Sequence, residues 1–589
     1  MVYCQPSGNL EKAEKLIDEE KYKEAFVVLN EAVRKNPSDG KALNLLGDIY
    51  LKERNFRLAI LFLKQAIEKS PAPNDKMYFD LAEALQFRHH FTEAIENYKL
   101  SDPKSKKRNL IEIRLKQCEV GNDLISKPLE VKISNLGPKI NTNQSDYHPL
   151  VTADFMQIFI TRNDENNGSS IFQSFNKGGW EKAISLPGPV SSDKGEKLAG
   201  ISPDGQILYL IRPEKNGDIY VSDFKDGTWT KPRPFPYNSP KTESSVCVSS
   251  NGKHLFFVSD RAGSKDIYSC SASGNGWGKP MKMGKHINSS LDEESPWLDA
   301  DGNYLYFSSK GHQGMGGFDV FKADLSKPGS EPENVGFPIN SASDELYYMV
   351  LPDEKTAFYS SQRDGGFGKE DIYSVRMSVG KSPQLQLFKG TVSEASGLPL
   401  DATVIIMETN SNQVVARLKS HPETGTFVTM LQDSKIYSVL IEKEGYLFHS
   451  DLLNLTSSEN QGLIKDIKLQ KLFPGVTLVL SNIFFDHGKS SLKKESSKEL
   501  QRILLILRQN PGLKAEISSH LDDSGIEEVS QKLTENRARA VVDYLVTTGI
   551  KSTRLVSKGY GSSRPVSDAK SENGREANRR TEFKIISIQ

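Results

Sequence analysis

The sequence predicts a multi-domain protein with α and β regions: an N-terminal helical repeat array, a five-bladed β-propeller, a small β-sandwich and a C-terminal α/β domain. Three observations support this fold class. A chain of 589 residues is longer than one hydrophobic core normally supports. A helical pattern and then a strand pattern each repeat at a nearly fixed period. Strands alternate with helices near the C-terminus.

The charge balance argues against nucleic acid as a partner. Lysine plus arginine and aspartate plus glutamate both number 76, so the formal net charge is zero. No apolar run reaches the roughly 18 residues that a membrane-spanning helix needs. The four cysteines fit neither a disulfide scaffold nor a zinc site, and we expect no metal and no cofactor. Charge-based recognition must therefore be local.

The N-terminus leaves the cellular compartment open. Its first residues lack the charged and apolar regions of a secretory signal. The protein is therefore either cytosolic or exported, with the signal peptide absent from this sequence. Cys4 suits a lipid-anchored cysteine left by signal cleavage, and an incidental exposed thiol is the alternative. Membrane association is expected to be indirect or through such a lipid anchor.

Residues 8–125 are predicted to form the helical repeat array. Small residues recur where paired helices must approach closely, and Pro37 and Pro71, 34 residues apart, end the second helix of two units. The pattern resembles about three tetratricopeptide repeats. The residues that carry the resemblance include Leu43, Leu46, Gly47, Tyr50, Ala59, Leu63, Ala66 and Pro71. The resemblance implies a concave groove for partner peptides, and a helical spacer without a ligand is the alternative.

Residues 140–378 are predicted to form the propeller. One strand signature returns five times, with gaps of 48, 48, 53 and 52 residues, and it begins at Ser170, Asp218, Asp266, Asp319 and Asp371. Asp-Gly or Asn-Gly hairpin turns precede three of these signatures. The repeat indicates five blades and resembles the WD40-like repeats of TolB-type and OmpA-linked proteins. Most blades begin with an acidic residue that either lines a ligand face or anchors loop amides: Glu196, Glu243, Glu294 and Glu345.

Residues 385–472 are predicted to form the small β-sandwich. Short strand-like segments alternate with turns such as Gly397-Leu398-Pro399, and the order resembles a carboxypeptidase regulatory-like domain. This fold carries no chemistry of its own, so the segment is interpreted as a spacer.

Residues 474–589 are predicted to form the α/β domain, with strands at 476–480, 483–485 and 514–518 and a helix at about 526–547. The segment resembles the OmpA C-terminal, peptidoglycan-associated domain. The residues that carry the resemblance are Phe484-Phe485-Asp486, Ser519-His520-Leu521-Asp522, Leu533 to Ala538, Gly559-Tyr560-Gly561 and Asn578-Arg579-Arg580. The resemblance implies binding of diaminopimelate in the peptide stem, with Asp522 taking the ammonium and Arg537 the carboxylate.

Elementary chemistry supports this pair independently. The head of a free amino acid needs one anion and one bidentate donor, and the guanidinium fork fits a carboxylate. The helical spacing places Arg537 on the face of Leu533, Val541 and Tyr544, where a charge is unusual. The alternative is a structural arginine, snorkelling or paired with Asp522 without a ligand.

Further residues are expected to complete or modify the site. Arg580 is expected at its rim, Ser524 and Ser530 are expected among the binding residues, and Arg579 is interpreted as purely structural. The family often has threonine at the position of Leu521 and asparagine at those of Gly488 and Ser530. Each lost supporting hydrogen bond is expected to weaken binding by about 1 kcal/mol.

The whole domain order resembles a Bacteroidota envelope architecture that includes the peptidoglycan-binding component of the type IX secretion system. This resemblance implies a periplasmic, outer-membrane-associated scaffold that binds peptidoglycan. Its repeat array and propeller would hold other envelope proteins.

We predict no enzymatic activity, since neither a metalloprotease helix, a nucleophile elbow nor a P-loop is present in the sequence. The alternative functions are a propeller-based hydrolase, or a carbohydrate- or peptide-binding protein with a degenerate end domain. The sequence does not identify the protein partners, the oligomeric state or the secretion or motility system that the chain serves.

Overall fold

The computed structural model describes the chain from residue 7 to residue 588 with short gaps. The residues that it leaves undescribed are 1–6, 102–107, 153–154, 165–167, 192–194, 204, 214–216, 226, 251, 274–275, 300–301, 354, 378–384, 412, 423, 433, 456–462, 487, 523–525, 569 and 589. Within the described residues, no helix is both long and apolar enough to cross a membrane.

Among its described residues, the N-terminal helical array has seven helices. They are α1 (Ser7–Asp18), α2 (Tyr22–Lys35), α3 (Gly40–Lys52), α4 (Phe56–Lys69), α5 (Asp75–Phe87), α6 (Phe91–Leu100) and α7 (Arg108–Ser126). Side chains of Asp39, Asn55 and Asn74 cap α3, α4 and α5 by accepting from backbone N–H groups. Gly47 lets α3 and α4 approach, because a Cβ atom there would lie 2.6 Å from Leu63 Cγ.

The described residues between 131 and 377 form five antiparallel sheets, here called the five-sheet ring. The strands are β1 (Val131–Asn135), β2 (Ser145–Val151), β3 (Gln157–Asp164), β4 (Gly168–Phe175), β5 (Ile184–Ser185), β6 (Lys197–Ile201), β7 (Ile207–Arg212), β8 (Asp218–Lys225), β9 (Thr228–Trp229), β10 (Arg233–Pro234), β11 (Glu243–Val248), β12 (His254–Ser259), β13 (Asp266–Ser273), β14 (Gly276–Trp277), β15 (Met281–Lys282), β16 (Glu293–Leu298), β17 (Tyr304–Ser309), β18 (Asp319–Asp324), β19 (Glu333–Asn334), β20 (Glu345–Val350), β21 (Thr356–Ser361) and β22 (Asp371–Met377).

Strand contacts close the five sheets into a ring. The inner strands are β2, β6, β11, β16 and β20; each contacts the next, and β20 contacts β2. The first strand, β1, pairs with β22 of the last sheet, so the chain itself closes the circle. This strand precedes the range 140–378 that the sequence repeat indicated.

Three consecutive sheets share the same arrangement at the start of their inner strands, where a buried carboxylate lies. Glu243, Glu293 and Glu345 are fully buried, and each accepts from the backbone N–H of the serine four residues earlier, at 2.8–3.0 Å. Each also accepts from a serine hydroxyl on the next strand. These carboxylates anchor loop amides. The register places Glu293 in this position, whereas Glu294 bonds to Lys265 at 2.6 Å.

Residues 385–469 form a two-sheet domain. Its strands are β23 (Leu385–Glu394), β24 (Thr403–Glu408), β25 (Val414–Lys419), β26 (Thr426–Gln432), β27 (Ile436–Glu442), β28 (His449–Asn454) and β29 (Leu463–Leu469). The sheets have the orders β26-β23-β29 and β25-β24-β27-β28, and Phe388, Val404 and Ile441 belong to their shared core. The domain lies against the ring, where the Arg417 N–H donates to the Ser250 carbonyl at 3.0 Å.

The C-terminal domain is an α/β layer structure. Its elements are β30 (Thr477–Val479), α8 (Ser497–Gln509), β31 (Lys514–Ser519), α9 (Glu527–Thr547), β32 (Leu555–Gly559), α10 (Glu572–Asn578) and β33 (Thr581–Ser587). The sheet order is β30-β33-β31-β32, with β31 and β32 parallel. Its apolar core, including Leu507 and Phe583, continues into Leu440 and Phe448 of the two-sheet domain.

The prediction of a strand at residues 483–485 is wrong. Phe485 forms an isolated bridge with Leu492, and the Phe484 N–H donates to the Ser496 hydroxyl at 2.8 Å. A side-chain partner thus replaces the sheet neighbour that a strand would need.

Candidate functional site

The topology of the C-terminal domain brings several loops to one edge of its sheet. Because β31 and β32 are parallel and β33 runs against them, both carboxyl ends meet the start of β33. The carboxyl end of β30 lies at the same edge, since Val479 pairs with Glu582. Asp522, Arg579 and the loop residues Phe485, Asp486 and Lys489 therefore lie at a common edge of the sheet.

Asp522 is 6% exposed and follows β31 by three residues. Its Oδ2 accepts from Nη1 of Arg579 at 2.7 Å. Nη2 of Arg579 donates to Glu572 Oε1, also at 2.7 Å. The arginine is thus shared between a buried carboxylate and an exposed one.

Arg537 is half-buried on α9 and contacts the loop at the same edge. Its Nε donates to the Lys489 carbonyl at 2.9 Å, and its Nη2 to the Asp486 carbonyl at 3.2 Å. Its guanidinium lies 4.9 Å from the ring centroid of Phe485. Burial lowers the pKa of Arg537, and no carboxylate among the described residues offsets that effect. The guanidinium is a cation without a described anionic partner.

The other predicted site residues have different surroundings. The Arg580 side chain is 8% exposed, and its Nε donates to Glu582 Oε1 at 2.6 Å, so it lies beneath the surface rather than at a rim. Ser530 is buried on α9 at 6% exposure. Ser524 and Cys4 lie outside the described residues.

A buried network supports the edge from below. His520 is 2% exposed, and its Nε2 lies 3.4 Å from Glu582 Oε2. The hydrogen bond with His520, followed by that with Arg580, lowers the pKa of Glu582 to about 2. These contacts hold the start of β33 in place. Just before this strand, the side chains of Arg579 and Arg580 reach different carboxylates, Asp522 and Glu582.

Sequence reasoning missed Arg579 and Glu572 as members of the charged edge. The signal was present in the Asn578-Arg579-Arg580 motif, since neighbouring residues entering a strand point to opposite faces. Which of the two arginines reaches Asp522 depends on where α10 ends, and periodicity does not give that position.

The four-stranded sheet and its helices define an α/β domain with a charged edge. Residues 484–579 match the sequence model of the OmpA family, so the C-terminal domain is an OmpA family domain.

The matches to two curated relatives span less than two thirds of the relatives' own length. The chain is 35% identical over 138 residues to the photosystem I P700 chlorophyll a apoprotein A2 of Gloeobacter violaceus, covering 22% of this chain and 16% of the relative. It is 36% identical over 111 residues to outer membrane porin F of Pseudomonas aeruginosa, covering 19% of this chain and 32% of the relative. The crystal structure of the peptidoglycan-associated lipoprotein from Burkholderia pseudomallei is 24% identical, with a TM-score of 0.17, over 18% of this chain and 87% of that one.

Proposed function

We propose that this protein is a non-catalytic scaffold that binds peptidoglycan through its C-terminal domain. Asp522 takes the ammonium and Arg537 the carboxylate of a diaminopimelate head in the stem peptide. The OmpA family match of residues 484–579 supports the class of ligand.

The observation that carries the proposal is the half-buried guanidinium of Arg537. Removing a charge from water is costly unless an opposite charge compensates it. The described carboxylates do not lower this cost, and two carbonyl groups hold the guanidinium in place. A ligand carboxylate would supply the missing charge, and a fixed guanidinium loses little rotamer freedom when it binds.

The buried carboxylate of Asp522 supplies the opposite charge at the same edge. Together the two residues match a zwitterion, and a simple dicarboxylate or a simple amine would satisfy only one of them. The amino-acid head of diaminopimelate has both groups on one carbon.

The remainder of the chain is proposed to hold other envelope proteins. We interpret residues 8–125 as tetratricopeptide repeats, residues 140–378 as a five-bladed propeller and residues 385–472 as a regulatory-like sandwich. The cyclic contacts among the five inner strands support the propeller. We propose a periplasmic, outer-membrane-associated location, which the similarity to outer membrane porin F supports. Type IX secretion or gliding machinery is the complex that this domain order suggests, and Ser524, Ser530, Arg580 and a lipid on Cys4 remain proposals.

Sedimentation of the full chain with purified sacculi tests the anchoring role. We expect Asp522→Asn and Arg537→Gln each to lower the affinity about tenfold to hundredfold, the scale of a lost charge-assisted hydrogen bond. Arg508→Gln is the control, because Arg508 donates to the Thr548 carbonyl on another part of the domain. Equal retention of all four proteins, with unchanged melting temperatures, would exclude the assignment of this site.

A further inference from the structure

Asp522 already has a cation within the chain. The Arg579 guanidinium lies 2.7 Å from its carboxylate, and Asp522 is only 6% exposed. A ligand ammonium that approaches this carboxylate therefore meets a positive charge of the protein.

The arginine has a second carboxylate beside it. Glu572 accepts from Arg579 at 2.7 Å, and its side chain is 63% exposed on the first turn of α10. The hydrogen bond with Glu572 is the main cause that raises the pKa of Arg579, ahead of the bond with Asp522. Glu572 thus stabilises the Arg579 cation independently of Asp522.

The backbone around Arg579 is held in place, so its side chain is the part that can move. Asn578 is 1% exposed and accepts from the N–H groups of Val566 and Ser567 at 2.8 and 3.0 Å. The Ser571 hydroxyl caps α10 by accepting from the Gly574 N–H. The Arg579 side chain itself is 38% exposed.

These contacts define a competition. Two cations at one carboxylate repel each other, so an ammonium is expected to bind Asp522 only as Arg579 withdraws towards Glu572. A ligand carboxylate is attracted instead of repelled, since both Arg537 and Arg579 carry a positive charge.

We propose that Arg579 is a specificity-determining residue of the peptidoglycan site, which competes with the ligand ammonium for Asp522 and makes the ligand carboxylate the dominant determinant. This inference rests on the proposed function. Glu572 tunes the competition by holding the displaced guanidinium.

Binding of meso-diaminopimelate and of pimelate to the full chain, measured by calorimetry, tests the inference. Pimelate has two carboxylates and no ammonium. We expect Arg579→Gln to bind meso-diaminopimelate about threefold to fivefold more tightly and pimelate more weakly, a change on the scale of one partly exposed ion pair. Glu572→Gln is expected to weaken meso-diaminopimelate binding, because Arg579 then has Asp522 as its remaining partner of the two.

Lys570→Gln is the matched control, since it removes one exposed positive charge near α10 without a described contact to Asp522. It is expected to leave the ratio of the two affinities unchanged. Weaker or equal binding of meso-diaminopimelate by Arg579→Gln would overturn the competition while the proposed function stands. Failure of the unmodified protein to bind both meso-diaminopimelate and sacculi would overturn the proposed function and this inference with it.

Discussion

Single charged residues determine the chemistry of the C-terminal edge. Arg537 and Asp522 were predicted as site residues from the family resemblance, and Arg537 also from the unusual position of a charge on an apolar helix face. Arg579 was not, because its partner depends on a side-chain direction at the end of α10. The ion pair between Arg579 and Asp522 joins residues that are 57 positions apart.

The pKa of Glu582 gives a prediction at this scale. Its pKa of about 2 lies below the ordinary value of 4.5, so the folded state favours the charged form. The resulting stability is present above about pH 4.5 and is lost as the pH falls towards 2. We expect it to amount to about 3 kcal/mol.

Urea unfolding between pH 2.5 and pH 6 measures this contribution. Glu582→Gln is expected to lower the free energy of unfolding at pH 6 and to flatten its pH dependence in the acid range. Glu527→Gln, at an exposed position on α9, serves as the control. Parallel pH profiles for the Glu582→Gln variant and the unmodified protein would contradict the assigned ion pairs.

At the scale of elements, the close approach of neighbouring inner strands limits side-chain size. A Cβ atom on Gly200 would lie 2.1 Å from the Val246 carbonyl oxygen. Backbone cannot yield as a flexible side chain does, so we expect Gly200→Ala to destabilise the ring by about 1–3 kcal/mol. Thermal or urea unfolding of the full chain measures the change.

Gly284→Ala provides the matched comparison, because a Cβ atom there meets nothing within 4 Å. Its stability is expected to stay within about 0.5 kcal/mol of the unmodified protein. Equal unfolding midpoints for the two alanine variants would show that the inner strands are less tightly packed than described.

The repeat predicted the strands of the ring well and its closure poorly. Each hairpin is local, so the recurring signature at Asp218, Asp266, Asp319 and Asp371 falls at the start of β8, β13, β18 and β22. The strand β1 lies more than two hundred residues before its partner β22 and carries no copy of the signature. The acid at the start of the fourth sheet was likewise assigned to Glu294, whereas Glu293 accepts from the Ser289 N–H. Both side chains are buried, and one residue of register decides which of them reaches the loop amide.

At the scale of the whole molecule, the helical array is joined to the ring by a mixed interface. Met315 and Ala342 of the ring share an apolar cluster with residues of α5, α6 and α7. The Arg54 Nη2 donates to the Ser343 hydroxyl at 3.1 Å, and the Leu129 N–H to the Phe337 carbonyl at 2.8 Å. Arg88 also pairs with Asp364.

Met315→Glu is expected to loosen this interface, because it places a charge at a fully buried position. Limited proteolysis should then cut faster near residues 127–130, and small-angle scattering should show a larger radius of gyration. Met281→Glu is the matched control, since Met281 is 70% exposed on the same ring. Identical cleavage of both variants would contradict the described packing.

The sequence by itself determined the local design of this protein: the helix pairs, the repeated hairpins and the α/β pattern of the C-terminal domain. Local hydrogen bonding and side-chain periodicity encode these features within short segments. The tertiary structure decided the closure of the ring by β1, the core shared by the last two domains and the partnership of Asp522 with Arg579. Each of these joins segments far apart in the chain, where packing and electrostatics choose the partner and no short motif records the choice.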